Sequence, residues 1–265
     1  MTTATDFVVL IPARRRSTRL ADKALADIGG LPMVVRVADV ALKSGATQVL
    51  VATDDAEIAA VVTQHGHRAM LTRTDHPSGT DRLAEAAERM KLSDQQIVVN
   101  LQGDEPGMPP ELVRAVAQLL ADAPDCPMAT AAHPIDRWED FVAPSVVKVA
   151  LDQRGRAQLF SRAPIPFPRD AAIDFPARMP QQWPATPAFQ PLRHLGLYAY
   201  RTRFLRDYPL MPVAPTEAVE SLEQLRALWH GHAIAVHVTP HAPPGGVDTA
   251  ADLARMRAFF LRTAL

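Results

Sequence analysis

Four short apolar runs, each set apart from the next by a helix-length or turn-rich stretch, constrain this chain more than any other feature. Residues 7–11, 48–52, 68–71 and 96–101 read as buried strands, because a strand covered on both faces loses its polar alternation and becomes nearly continuous in apolar character. Between them, residues 32–44 carry apolar side chains at helical spacing and close at Gly45, where a helix C-cap would sit. Residues 54–63 read as a second helix, and 81–91 as a third, entered through Ser78-Gly79-Thr80. Strand and helix in alternation predict an α/β fold, a mostly parallel central sheet flanked by helices.

The rhythm then changes. A helix over 110–120 is followed by apolar runs at 128–132 and 146–151. Residues 164–191 hold eight prolines in 28 positions, which no regular helix or central strand accepts, so an irregular loop or insertion arm is expected there. A strand over 194–201, a helix over 217–230, a strand over 233–238 and a closing helix over 249–261 complete the chain. No fixed-period repeat occurs, and 265 residues suit one elaborated domain.

Charge and cysteine content narrow the function. With 28 basic against 29 acidic residues and a pI near 6.8, the chain lacks the basic field of a non-specific nucleic-acid binder, so no nucleic-acid partner is expected. Cys126 is the only cysteine, which excludes an internal disulfide or a cysteine-cluster metal site and fits a reducing compartment. No apolar run approaches the roughly 18 residues of a membrane helix, and residues 1–12 lack the basic flank and cleavage site of a secretory signal. A soluble, cytoplasmic protein without a membrane partner is expected.

In open parallel sheets, ligands bind beyond the carboxyl ends of the strands. After the first run come Arg14, Arg15, Arg16 and Arg19, then Lys23. This cluster is either a solvated basic loop or a cradle able to neutralise a triphosphate with the help of backbone N–H groups. It is not a Walker A loop, since no G-x-x-x-x-G-K-[ST] is present. The fourth run ends at Gly103-Asp104-Glu105-Pro106. Asp104, with Glu105 as runner-up, is either a turn residue bonding its own backbone or a hard-oxygen ligand for Mg²⁺. Asp248 and Thr249, ahead of the last helix, either cap that helix or supply a second carboxylate. Asp104 and Asp248 stand 144 residues apart. If the fold joins them, they form a site for cations bridging phosphate oxygens. No H-E-x-x-H spacing suggests zinc and no G-x-S-x-G suggests a hydrolase, while Met211, Trp229, Phe259 and Phe260 read as core or interface packing.

Eight segments in order carry a resemblance. They are Ile11-Pro12-Ala13-Arg14 with Ser17-Thr18-Arg19-Leu20, Val51-Ala52-Thr53-Asp54, Ser78-Gly79-Thr80-Asp81-Arg82-Leu83, and Val99-Asn100-Leu101-Gln102-Gly103-Asp104-Glu105-Pro106. Phe160-Ser161-Arg162-Ala163, Arg193-His194-Leu195-Gly196-Leu197-Tyr198, Leu222-Glu223-Gln224-Leu225-Arg226 and Gly246-Val247-Asp248-Thr249 complete the set. From Val8 to about Arg257 the chain resembles the 3-deoxy-manno-octulosonate cytidylyltransferase (CMP-Kdo synthetase) family.

That resemblance implies a nucleotide-diphospho-sugar transferase-like, Rossmann-like fold over residues 1–265. Residues 1–125 would mainly bind nucleotide, and 126–265 would mainly serve the sugar and a homodimer contact. It implies CTP and Kdo as substrates, with Mg²⁺ as cofactor, to give CMP-Kdo and pyrophosphate for lipopolysaccharide assembly. It assigns Arg14, Lys23, Asp104 and Asp248 to catalysis, the two aspartates as metal ligands. Ala13, Arg14, Lys23, Ser78, Gly79 and Arg82 would bind nucleotide. Arg82, Gln102, Arg162, His194, Tyr198, Glu223 and Gln224 would bind the sugar. Two departures stand out: Arg15-Arg16 replace an aromatic and a small residue, and Lys23-Ala24-Leu25 replaces Lys-Pro-Leu. The rival readings are another CTP-dependent enzyme for an acidic sugar (sialic acid or 8-amino-Kdo), a metal-dependent glycosyltransferase, and a silent nucleotide-binding protein.

Overall fold

The computed structural model describes residues 5–15, 20–167, 169 and 190–263. Its strands are β1 (Phe7–Ala13), β2 (Asp27–Ile28), β3 (Leu31–Pro32), β4 (Gln48–Thr53), β5 (Ala69–Leu71), β6 (Ile97–Asn100), β7 (Met128–Pro134), β8 (Lys148–Leu151), β9 (Ala157–Ser161), β10 (Leu192–Arg201) and β11 (Ile234–Val238). Its helices are α1 (Met33–Lys43), α2 (Ala56–Gln64), α3 (Gly79–Arg89), α4 (Pro110–Asp122), α5 (Trp138–Val142), α6 (Thr202–Asp207), α7 (Pro215–Glu220), α8 (Gln224–Trp229) and α9 (Ala250–Thr263). The main sheet runs β11-β7-β10-β6-β1-β4-β5, and a β8–β9 hairpin joins it at β10. Pairing is parallel except at β10, which runs against both neighbours and pairs antiparallel with β8 as well, and within the β8–β9 hairpin itself.

β1 shows why the sheet is buried on both faces. Phe7, Val9 and Ile11 point into one core with Val34 and Val37 of α1, Ile58 of α2 and Val113 of α4. Val8 and Leu10 point into the other, with Leu83 of α3 and Leu205 of α6. Each fully buried aliphatic side chain contributes about 1.5–3 kcal/mol, so the apolar runs predict the sheet for a sound energetic reason. A smaller third cluster of Ile28, Met33, Val247, Leu253 and Met256 fastens α9 to the β2–β3 hairpin, and Arg257 Nε donates to the Asp27 carbonyl at 2.9 Å.

Several expectations need correction. The first strand does not stop at Pro12. Leu10 O accepts from Leu101 N, so even-numbered β1 residues face β6, and β6 pairs β1 only as far as Leu10. Pro12 therefore lacks its N–H on a side where no partner remains, while Ala13 still pairs with Thr53. The polar front loop contains a 3-10 turn at Lys23–Leu25 and the β2–β3 hairpin. α3 begins at Gly79, with Ser78 Oγ capping Asp81 N. The single helix expected over 217–230 is two helices, α7 and α8, because Ser221 turns left-handed (φ 52°) and Leu222 enters the core. Trp229 is 57% exposed, so it is not part of the core. Most of the proline-rich 164–191 stretch lies outside the described residues. No helix among those described is long and apolar enough to cross a membrane.

Candidate active site

From β1 the chain moves outward to β4 and β5, then returns to place β6 on the other side of β1. That reversal opens a crevice at the strands' carboxyl ends, where ligands of open α/β sheets bind. A cleft of about 460 Å³ occupies it. Its floor is close-packed: a Cβ on Gly103 would meet the Pro12 carbonyl oxygen at 2.7 Å, so only glycine lets the ends of β1 and β6 approach this closely.

The two distant aspartates meet. Lys23 Nζ donates to Asp104 Oδ2 at 2.7 Å and to Asp248 Oδ1 at 3.0 Å. Burial works to lower the Lys23 pKa, but Asp104 and then Asp248 hold it above its ordinary value. The Asp104 carboxylate bonds Lys23 rather than its own turn, and the capping of α9 falls to Thr249 and Asp252 rather than to Asp248: Thr249 Oγ1 accepts from Asp252 N, and Asp252 Oδ2 accepts from Thr249 N at 2.9 Å. Val247 N donates to the Asp104 carbonyl at 2.9 Å, which ties the two loops together. Beside them, burial and then the Asp104 and Asp248 charges push the Glu105 carboxyl up to about 8.

A divalent cation fits this pair. Two carboxylate oxygens already converge on one positive charge, that of Lys23, and hard oxygen donors are what Mg²⁺ takes. No trio of His, Cys, Asp or Glu arranged to hold a metal occurs among the described residues, so the protein would supply few ligands and phosphate or water the rest.

The nucleotide candidates Ala13, Arg14, Lys23, Ser78, Gly79 and Arg82 all line the cleft. Arg14 is exposed at the end of β1. Arg15 turns away, to Asp22 at 2.9 Å and to Glu57, and so braces the front loop against α2. Arg16, Ser17, Thr18 and Arg19 lie outside the described residues. Ser78 and Gly79 bring the N-terminus of α3 to the cleft, an end whose free N–H groups favour anions. Arg82 is buried and already matched, by Asp54 at 2.8 Å and by Thr72.

Among the sugar candidates, Gln102 and Glu223 line the cleft with Arg82, whereas Arg162, His194, Tyr198 and Gln224 stand outside its lining. His194 and Tyr198 belong to a row of rings on β10, with centroids 5.4 Å apart and Tyr200 a further 6.0 Å on. Burial pushes the His194 imidazole down to about 3 and the Tyr198 phenol well above its usual range, so both are uncharged. Arg162 is held by the carbonyls of Glu220 at 2.7 Å and Pro144 at 2.9 Å. Sequence reasoning passed over Thr80, whose hydroxyl donates to Glu223 at 3.0 Å, and Tyr200, which is buried on β10 with its ring stacked on that of Tyr198. It also missed His76, which lines the cleft with Nε2 on Glu85. Thr80 lies within the Ser78-Gly79-Thr80 segment, but no local pattern marks a loop histidine that pairs with a helix carboxylate.

The chain matches the family model described as cytidylyltransferase over residues 8–234. It is 58% identical over 257 residues to the 3-deoxy-manno-octulosonate cytidylyltransferases of Acidovorax sp. (strain JS42) and Acidovorax ebreus (strain TPSY), covering 97% of this chain and 98% of each relative. A solved structure of CMP:2-keto-3-deoxy-manno-octonic acid synthetase complexed with CTP superposes with a TM-score of 0.87 at 40% identity, covering 97% of this chain and 99% of that one.

Proposed function

The chain belongs to the cytidylyltransferase family, and from that premise we infer that it transfers the cytidylyl group of CTP to 3-deoxy-manno-octulosonate, giving CMP-Kdo and pyrophosphate. One observation carries the chemistry: Asp104, Asp248 and Lys23 converge at the lip of the cleft. The anomeric hydroxyl oxygen of Kdo bonds to the α-phosphorus, the bridge to the β-phosphate breaks, and the hydroxyl proton is released. Charge builds on phosphoryl oxygens and on the departing pyrophosphate, so fixed cations do most of the work.

Arg14 and Lys23 meet the phosphates, and Lys23 trades its carboxylate partners for phosphate oxygens. The N-terminus of α3 receives the nucleotide through Ser78 and Gly79, beside Ala13. Asp104 and Asp248 would hold Mg²⁺, which when bound neutralises phosphoryl oxygens and lowers the pKa of the attacking hydroxyl. Arg82, Gln102 and Glu223 face the acceptor, backed by Arg162, His194, Tyr198 and Gln224. We assign residues 1–125 mainly to nucleotide and 126–265 mainly to the acceptor and a homodimer contact, in a cytoplasmic enzyme of lipopolysaccharide assembly.

The test is direct. Protein mixed with CTP, Kdo and Mg²⁺ should release pyrophosphate and form CMP-Kdo, and release should stop with EDTA. Silence across a range of pH and divalent metals would reject the assignment.

A further inference from the structure

α7 and α8 meet at an elbow whose joint, Ser221, is left-handed (φ 52°, ψ 50°), a conformation that L-residues keep only where neighbours enforce it. The enforcement comes from both sides of the joint. Glu217 and Arg226 form a two-pronged ion pair, Nε to Oε2 at 2.8 Å and Nη2 to Oε1 at 2.6 Å, with side chains only 8% and 13% exposed. The Arg226 guanidinium lies 4.6 Å from the centre of the Tyr208 ring, and the Tyr208 hydroxyl donates to the Glu223 carbonyl at 2.7 Å.

What the elbow delivers is chemically distinctive. Glu223 reaches the cleft wall and accepts from Thr80. Gln224 is 4% exposed, and its Nε2 has no hydrogen-bond partner among the described residues; such a buried amide N–H is costly unless something else accepts from it. On the other side of the joint, Glu220 accepts from Ser161 Oγ at 2.6 Å and from Arg162 N at 2.8 Å. Three acceptor-site candidates, Arg162, Glu223 and Gln224, thus take their placement from one turn. A nearly buried Arg–carboxylate pair is a weak source of net stability because both ions are desolvated, but its fixed fork geometry sets an angle well.

We propose that Glu217, Arg226 and Tyr208 are positioning residues for the acceptor sugar: they set the elbow angle that presents Glu223 and Gln224, and do not touch the sugar themselves. None of the three lines the cleft. The proposal rests on the reading of the chain as a Kdo cytidylyltransferase with Glu223 and Gln224 at the acceptor.

Steady-state kinetics of the full chain, varying CTP and Kdo separately, test it alongside thermal unfolding. Tyr208→Phe deletes one hydrogen bond and keeps the ring under Arg226; Glu217→Gln keeps shape and removes charge. KM for Kdo should rise about fivefold in Tyr208→Phe and about tenfold in Glu217→Gln, with KM for CTP within about twofold of wild type. An unchanged KM for Kdo in folded Tyr208→Phe, or an equal rise in both KM values, would overturn the proposal. If Glu217→Gln does not fold, Tyr208→Phe decides alone. If Glu223→Gln raises KM for Kdo while Tyr208→Phe does not, the elbow is passive and the proposal fails with the site assignment intact. Absence of turnover in the wild type rejects the enzyme assignment, and the positioning role with it.

Discussion

At the rim of the cleft, Lys23, Asp104 and Asp248 are charged, matched to one another within 3.0 Å and partly exposed; on the wall behind it, His194, Tyr198 and Tyr200 are kept neutral by burial. The two regions are adjacent, yet they use opposite electrostatics. Under the proposed function, rim charges would be exchanged among carboxylate, metal and phosphate as phosphoryl charge redistributes. The wall groups stand behind the lining rather than in it, and give the residues that do line the cleft a fixed, uncharged backing. A cleft lined throughout by ions would bind phosphate anywhere, whereas under the proposed function this division would give the nucleotide and the sugar separate places.

Substitutions at the rim are expected to have the largest effects. Asp104→Asn removes charge without volume, and pyrophosphate release should fall about a thousandfold while the unfolding transition stays cooperative. Near-wild-type turnover would erase the distinction between rim and wall. Lys23→Met should lower kcat/KM for CTP about a hundredfold, with a defect that shrinks as salt screens the wild-type attraction. A defect independent of salt would place Lys23 with the wall instead.

The smallest effect should be read in stability rather than turnover. His194 has a folded pKa of about 3 against 6.5 when free, so between these values the unfolded chain binds more protons than the folded one. Stability is therefore lost as pH falls from 6.5 toward 3. His194→Gln should flatten part of that acid limb in melting temperature while running parallel to wild type above pH 6.5. Identical acid limbs would show that His194 is not buried as an uncharged group.

The parts legible in the sequence were those in which one physical rule acts locally. The apolar runs at 7–11, 48–52 and 96–101 are sheet strands because burial on both faces demands such runs. Thr249 proved to be a helix cap, and its pairing with Asp252 leaves the Asp248 carboxylate for Lys23. What escaped was decided by contacts distant in sequence. Nothing in the pattern over 217–230 announces the turn at Ser221, because the helix is broken by Leu222 entering the core and by Glu220 and Glu223 being drawn to partners on β9 and α3. The basic loop could not be divided by composition either: Arg14 lines the cleft while Arg15 braces α2, and only the fold separates neighbours of the same type.

The small cluster formed by Ile28, Met33, Val247, Leu253 and Met256 also bears on how this enzyme would fail under stress. It is distinct from the two large cores on the sheet, and it seats both the hairpin that follows Lys23 and the residue before Asp248. Cooperative units of modest size open before the whole molecule does. Warming, or loosening the seat of Leu253 and Met256, would let the lysine and the aspartate drift apart while the sheet remained intact, so inactivation can precede denaturation and the packing of α9 governs thermal endurance of the chemistry.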